Sequence, residues 1–178
     1  MFITALPSPS PPPPPPAVVA SPLPPGDATS AGFRVGFISS DFKRHPVSIL
    51  LSPALAAMRR VCPRLHTHLF ALSDDEPADE WRRGLRAAAH SFVSLHGVPD
   101  EEAARQLHAA DLHLLVDLNG LYSRGARPAL LAARAAPLQA THLGYGASCG
   151  ARFVELQIAD RLALPAERAH SRWCAARS

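Results

Sequence analysis

An aspartate and a histidine four residues apart, Asp41 and His45, stand between an apolar run and a proline in Ser39-Ser40-Asp41-Phe42-Lys43-Arg44-His45-Pro46. A carboxylate and an imidazole that meet across one cleft can pass a proton near neutral pH. The same spacing fits a plainer arrangement, in which Asp41 caps the following helix and His45 is an ordinary loop residue. A second polar stretch runs from Asp117 to Arg124 and contains Asn119 and Gly120. A third, Leu143 to Gly150 (LGYGASCG), offers flexible backbone and several N–H donors that can approach a sugar or phosphate closely. It lacks the G-x-G-x-x-G spacing of a dinucleotide site. Arg124 and Arg127, with Lys43 and Arg44, would make a basic mouth for an anionic ligand or an acidic partner segment, and fit a solvated surface equally well.

Other reactive side chains point to less. His66, His68 and His113 alternate within apolar runs, where core or surface imidazoles are commoner than metal ligands. Cys149 has no basic neighbour in sequence to lower its thiol pKa, which argues against a nucleophile. The three cysteines, Cys62, Cys149 and Cys174, are an odd count without CxxC spacing, so neither a disulfide framework nor a zinc site is expected, and a reducing compartment is the simpler reading. No cofactor or metal is called for. The net charge of +3 is diluted among scattered arginines, which excludes the clustered basic face of a nucleic-acid binder. No apolar run reaches the roughly 18 to 20 residues of a membrane span, so a soluble protein is expected.

These residues need a scaffold, and the chain carries the pattern of one. Phe33 to Ser39, Leu65 to Leu72, Ser91 to Leu95, Leu112 to Leu118, Leu138 to Leu143 and Leu156 to Ala159 read as six strands. Between them, Pro46 opens a helix predicted to end or kink near Pro53, and Glu80 to Ala89 carries Trp81, Leu85 and Ala88 at helical spacing behind the acidic loop Asp74, Asp75 and Glu76. Pro99 to Ala110 and Pro128 to Ala136 read as two more helices. Leu112 to Leu118 (LHLLVDL) is nearly all apolar, as in a central parallel strand covered on both faces. Alternating strands and helices predict an α/β fold with a Rossmann-like, doubly wound parallel sheet. Such sheets open their crevice at the carboxyl ends of the strands, so the three polar loops should converge on one edge.

The chain of 178 residues has 19 prolines, and eleven lie between Pro7 and Pro25, where neither helix nor central strand can form. Residues 1–31 are therefore expected to be a proline-rich disordered segment with extended polyproline character, serving as a linker. Six consecutive prolines from Pro11 to Pro16 interrupt the only candidate signal-peptide core. The foldable part begins near Gly32.

Four segments then become recognisable in order: RVGFISSDFKRHPVS, LLVDLNG, ARAAPLQATHLGYGASCG and LQIAD. They resemble, at nearly the same spacing, the first half of the catalytic region of the O-linked N-acetylglucosamine (O-GlcNAc) transferase family, over about Phe33 to Glu167. The most specific elements are SSDF-x-x-HP and A-P-[LI]-Q-x-x-x-LGY. The resemblance implies the N-terminal lobe of a GT-B glycosyltransferase over residues 32–167, with residues 168–178 as an unrelated tail. It implies a family that moves N-acetylglucosamine from UDP-GlcNAc to Ser or Thr hydroxyls of intracellular proteins, with plant relatives that transfer fucose. Localisation is expected in the cytoplasm or nucleus.

By matching motif positions, the resemblance places Asp41 and His45 at the reaction centre, and Leu143, Gly144 and Tyr145 on the loop that borders the sugar. It adds Asn119 and Arg127 to the substrate-binding set. The chain departs from the family pattern at Arg44, where Asn is usual, at Val47 in place of Thr, at Gly146 in place of Pro, and by an extra residue near Leu121. The second, UDP-binding lobe would follow Glu167, so the chain alone is expected to bind UDP-GlcNAc weakly and not to turn it over. The alternative is a non-catalytic module that docks on a second lobe, a full-length relative or a protein substrate.

Overall fold

The computed structural model describes residues 32–74, 79–121, 123–144, 150–160 and 162. The proline-rich segment, the tail, Tyr122, and the part of the LGYGASCG run from Tyr145 to Cys149 lie outside the described residues. In chain order the elements are β1 (Phe33–Ser39), α1 (Pro46–Val61), β2 (Leu65–Ala71), α2 (Glu80–Ala88), β3 (Ser91–Ser94), α3 (Asp100–Ala109), β4 (Leu114–Asp117), α4 (Pro128–Ala132), β5 (Leu138–His142) and β6 (Leu156–Ile158). The six strands form one sheet in the order β3-β2-β1-β4-β5-β6, and every neighbouring pair is parallel. This is the doubly wound α/β arrangement, with its switch point between β1 and β4.

Side-chain alternation divides the core between the two faces. Val35 and Phe37 of β1, Leu69 of β2 and Val116 of β4 pack with Leu51 and Leu55 of α1 and Leu85 of α2. Ile38, Phe70 and Leu115, next to them in sequence, point the other way and pack with Leu107 of α3 and Leu130 and Leu131 of α4. Because both faces are covered, β4 reads as continuously apolar.

Three boundaries differ from the sequence expectation by more than one residue. Helix α1 continues through Pro53 to Val61. Proline removes one hydrogen bond to the carbonyl four residues earlier, here that of Ile49, and both residues lie on the exposed face, where a backbone carbonyl can be solvated. Helix α4 stops at Ala132, and Arg134 then takes a left-handed φ of 56°. That turn lets the Arg134 guanidinium donate to the carbonyls of Phe153 and Pro137 and pair with Glu155. Strand β4 begins only at Leu114, because Asp111, with φ 46°, turns the chain just before it.

Candidate functional site

At the carboxyl end of β1 the backbone of Asp41 is held by two buried serines. Ser39 Oγ accepts the Asp41 N–H at 3.0 Å, and Ser48 Oγ of α1 donates to the Asp41 carbonyl at 2.8 Å. Both serines are completely buried, and so is Phe42, which anchors the loop from below. The Asp41 carboxylate remains one-fifth exposed, with Oδ2 3.9 Å from His45 Nδ1. His45, rather than Asp41, is the N-cap of α1, and its Nδ1 accepts the Val47 N–H at 3.3 Å. This corrects the plainer sequence reading. Nδ1 is the acceptor, so the neutral ring carries its proton on Nε2. The pair therefore offers a donor from the imidazole and an acceptor from the carboxylate.

The loop after β4 is joined to this one by Asn119, which is 1% exposed. Its Oδ1 accepts the Ser40 N–H at 2.7 Å, and its Nδ2 donates to Ser40 Oγ at 2.6 Å and to Ser123 Oγ at 3.1 Å. Ser40 Oγ in turn donates to the Arg124 carbonyl at 3.1 Å. Gly125, at φ 83°, lies so close that a Cβ there would fall 2.8 Å from Ser40 Cβ. Asp117 sits beneath the turn, and its Oδ1 accepts the Asn119 N–H at 3.0 Å. Burial pushes the Asp117 carboxyl up from its ordinary value, against the pull of the Asn119 and Gly120 backbone N–H groups. Oδ2 of Asp117 has no hydrogen-bond partner among the described residues.

The loop after β5 closes onto the same place. A Cβ on Gly144 would lie 1.8 Å from the Leu118 carbonyl oxygen, so only glycine lets this backbone cross the β4 loop. Leu143 just before it has φ 62°, a left-handed conformation that a branched side chain rarely takes. Its side chain is partly exposed. Asp41, His45, Asn119, Leu143 and Gly144 thus lie on one edge of the sheet, and Tyr145 lies outside the described residues.

Arg127 is turned elsewhere. Its guanidinium pairs with Asp100 and donates to the carbonyls of Leu95 at 2.9 Å and Val98 at 2.7 Å. It ties the start of α4 to the loop that enters α3. The Arg44 side chain is exposed, and the Arg44 main-chain N–H donates to Asp79 Oδ2 at 2.8 Å, a bond that does not depend on which side chain stands there.

Two residues that support the site were given no role in the sequence, although Gln139 stands in the A-P-[LI]-Q motif. Asp79 caps α2 by accepting the Arg82 N–H at 3.1 Å while it also holds Arg44. Burial works to raise its carboxyl, and the backbone N–H groups of Arg82, Arg44 and Trp81 outweigh that and hold it below the usual carboxylate range. Gln139, completely buried, donates to the carbonyls of Leu131 and Phe153 and so fixes β5 against α4. The serine pair before Asp41 was the one visible signal, because small hydroxyl residues at the end of an apolar strand often bond to nearby backbone. Among the described residues, no group of three or more His, Cys, Asp or Glu side chains is placed to hold a metal ion. No helix among them is long and apolar enough to cross a membrane.

The sequence profile of glycosyl transferase family 41 matches residues 25–174. The chain belongs to glycosyl transferase family 41. Its curated relatives in the family include the UDP-N-acetylglucosamine–peptide N-acetylglucosaminyltransferase of Caenorhabditis elegans, 33% identical over 139 residues that cover 78% of this chain and 12% of the relative. The probable enzyme of that name called SEC in Arabidopsis thaliana is 28% identical over 137 residues, covering 77% of this chain and 14% of the relative. Its Arabidopsis namesake called SPINDLY is 24% identical over 131 residues, 74% of this chain and 14% of that one. A mutant O-GlcNAc transferase from Thermobaculum terrenum superposes with a TM-score of 0.72 at 23% identity, over 83% of this chain and 28% of the other, a likeness of fold. This family 41 chain thus spans only 12–14% of the length of these curated relatives.

Proposed function

We propose that the chain is the N-terminal lobe of a GT-B glycosyltransferase of the protein O-GlcNAc transferase type, acting inside the cell on UDP-GlcNAc and on Ser or Thr hydroxyls of proteins. The observation that carries this reading is the joining of the β1 and β4 loops through Ser40 and Asn119, with Gly144 laid across the second loop. Asp41 and His45 share this end of the sheet with Leu143 and Gly144, and α/β sheets bind ligands at such a switch point, which supports the reading. In this reading Asp41 accepts a proton or a hydrogen bond near the reacting hydroxyl, and the His45 Nε2–H donates to a sugar or phosphate oxygen. Asn119, Leu143, Gly144 and Tyr145 shape the sugar pocket. Arg127 acts from a distance by fixing the loop that follows Asn119.

The described lobe supplies one wall of a cleft, and preorganised donors on a facing wall would be needed to stabilise a departing diphosphate. The 178-residue chain is expected to bind UDP-GlcNAc no better than about millimolar, roughly 4 kcal/mol, and to show no transfer. Titration of UDP-GlcNAc followed by NMR should shift signals of residues 39–45, 118–124 and 143–150. Shifts confined to other parts of the domain would remove the site, and turnover abolished by Asp41→Asn would establish catalysis by this chain alone.

A second reading has its own support. Leu143, Leu156 and Ile158 are 38%, 47% and 43% exposed at the β5–β6 side of the sheet, an apolar surface suited to docking on a second lobe or a full-length relative. Sedimentation that changes with concentration, or on mixing with a longer family member, would favour it.

A further inference from the structure

Two histidines occupy the same place relative to two different strand pairs. His90 immediately precedes β3 and His113 immediately precedes β4. The ladders open with His68 opposite Ser91 and with Val35 opposite Leu114, so His90 faces Thr67, and His113 faces Arg34, one step before each ladder. In both places the same exchange occurs. The His90 N–H donates to the Thr67 carbonyl at 2.9 Å, and the Thr67 N–H donates back to His90 Nδ1 at 3.0 Å. The His113 N–H donates to the Arg34 carbonyl at 2.9 Å, and the Arg34 N–H donates back to His113 Nδ1 at 3.1 Å. Each imidazole replaces the backbone carbonyl that a longer strand would have supplied, and so adds one rung to a parallel ladder.

A ring that accepts through Nδ1 carries its proton on Nε2, so the next proton must go to Nδ1. That turns an acceptor into a donor facing another donor. We propose that His90 and His113 are paired acid-labile clasps, which in mildly acidic solution release the first residues of β2 and β1 and loosen the amino-terminal edge of the sheet, while the Ser40–Asn119 and Gly144 ties between the loops at the carboxyl-terminal edge stay closed.

The surroundings of His90 favour its neutral ring in the folded state. The His90 ring stacks on His66 of β2 at 4.8 Å, and His68 of β2 and Arg59 of α1 face it as well. The His113 ring stacks on Phe33 at 4.8 Å, beside Arg34 and the Asp111 that pairs with it. Burial first, then His66 and Arg59, holds His90 below the ordinary imidazole value. Burial, then His90, His66 and Arg34, does the same to His68, whose Nδ1 lies 2.7 Å from Ser91 Oγ. With the folded values of His90 and His68 below the unfolded one, their contribution to stability is complete above the ordinary value near 6.5 and is lost as pH falls from there through the folded values.

Amide hydrogen exchange on the full chain at about pH 7.5 and about pH 5.5 tests the proposal, with protection factors corrected for intrinsic exchange. Protection of the Thr67 and Arg34 amides should fall about tenfold or more relative to Phe37 and Val116 in mid-sheet. The double variant His90→Asn with His113→Asn keeps an acceptor oxygen that does not titrate, and should abolish most of that loss. Equal protection at both pH values, or an undiminished loss in a folded double variant, would overturn the proposal. Should the variant fail to fold, the nitrogen shifts of the unmodified imidazoles decide: Nδ1 carrying the proton at about pH 7.5 would also overturn it.

Discussion

Asn119 shows how much a single amide holds. It receives the Ser40 N–H and donates to two hydroxyls, and both bonds to Ser40 are buried. Asn119→Ala would leave the Ser40 N–H unpaired, at a cost of about 2–3 kcal/mol measurable by chemical denaturation. Asn119→Asp keeps the acceptor but loses the donor and adds a buried charge, so it should be no better tolerated. Asp117 behaves in the opposite sense. Its carboxyl is raised by burial, so ionisation opposes folding, and stability present below the unfolded carboxyl value is lost as pH rises through the folded one. Asp117→Asn still accepts the Asn119 N–H and removes that charge. It is expected to stabilise the chain by on the order of 1 kcal/mol at pH 7 and by much less near pH 4, checked by thermal unfolding at the two values.

At the level of elements, Asp79 does two tasks, since one carboxylate caps α2 and also holds the main chain at Arg44. Asp79→Ala should therefore cost more than an ordinary cap, about 2 kcal/mol in denaturant, and broaden the NMR signals of residues 43–46 while those of α3 stay sharp. The six strands were legible in the sequence because each is a short apolar run between turn residues. The convergence of the three loops followed from the parallel topology. The passage of α1 through Pro53 was not legible, because the cost of a helical proline depends on whether water reaches the carbonyl it abandons, and that is a property of packing. Nor was the Ser40–Asn119 bond, whose partners stand 79 residues apart and meet only because β4 lies beside β1. The cap on α1 passed from aspartate to histidine because Ser39 and Ser48 already fix the Asp41 backbone.

On the scale of the whole molecule, the doubly wound sheet gives its two edges different characters. Histidine rungs close the amino-terminal edge, while at the carboxyl-terminal edge the β1, β4 and β5 loops are tied to one another by serine, asparagine and glycine, none of which titrates near neutrality. Gly144→Ala should leave the core intact, because the glycine lies outside both apolar clusters, yet force the β5 loop off the Leu118 carbonyl. Chemical-shift changes concentrated at residues 118–121 and 142–144, with a loss of stability under about 2 kcal/mol, are the expected result. The Asn119 stitch also sets a dimension. With a short amide spanning the ends of β1 and β4, the notch between those strands behaves like a fixed jaw of a caliper. Under the proposed glycosyltransferase function, any change in the size of ligand admitted must then come from elsewhere in the site, so a laboratory selection for altered donors should spare Ser40 and Asn119.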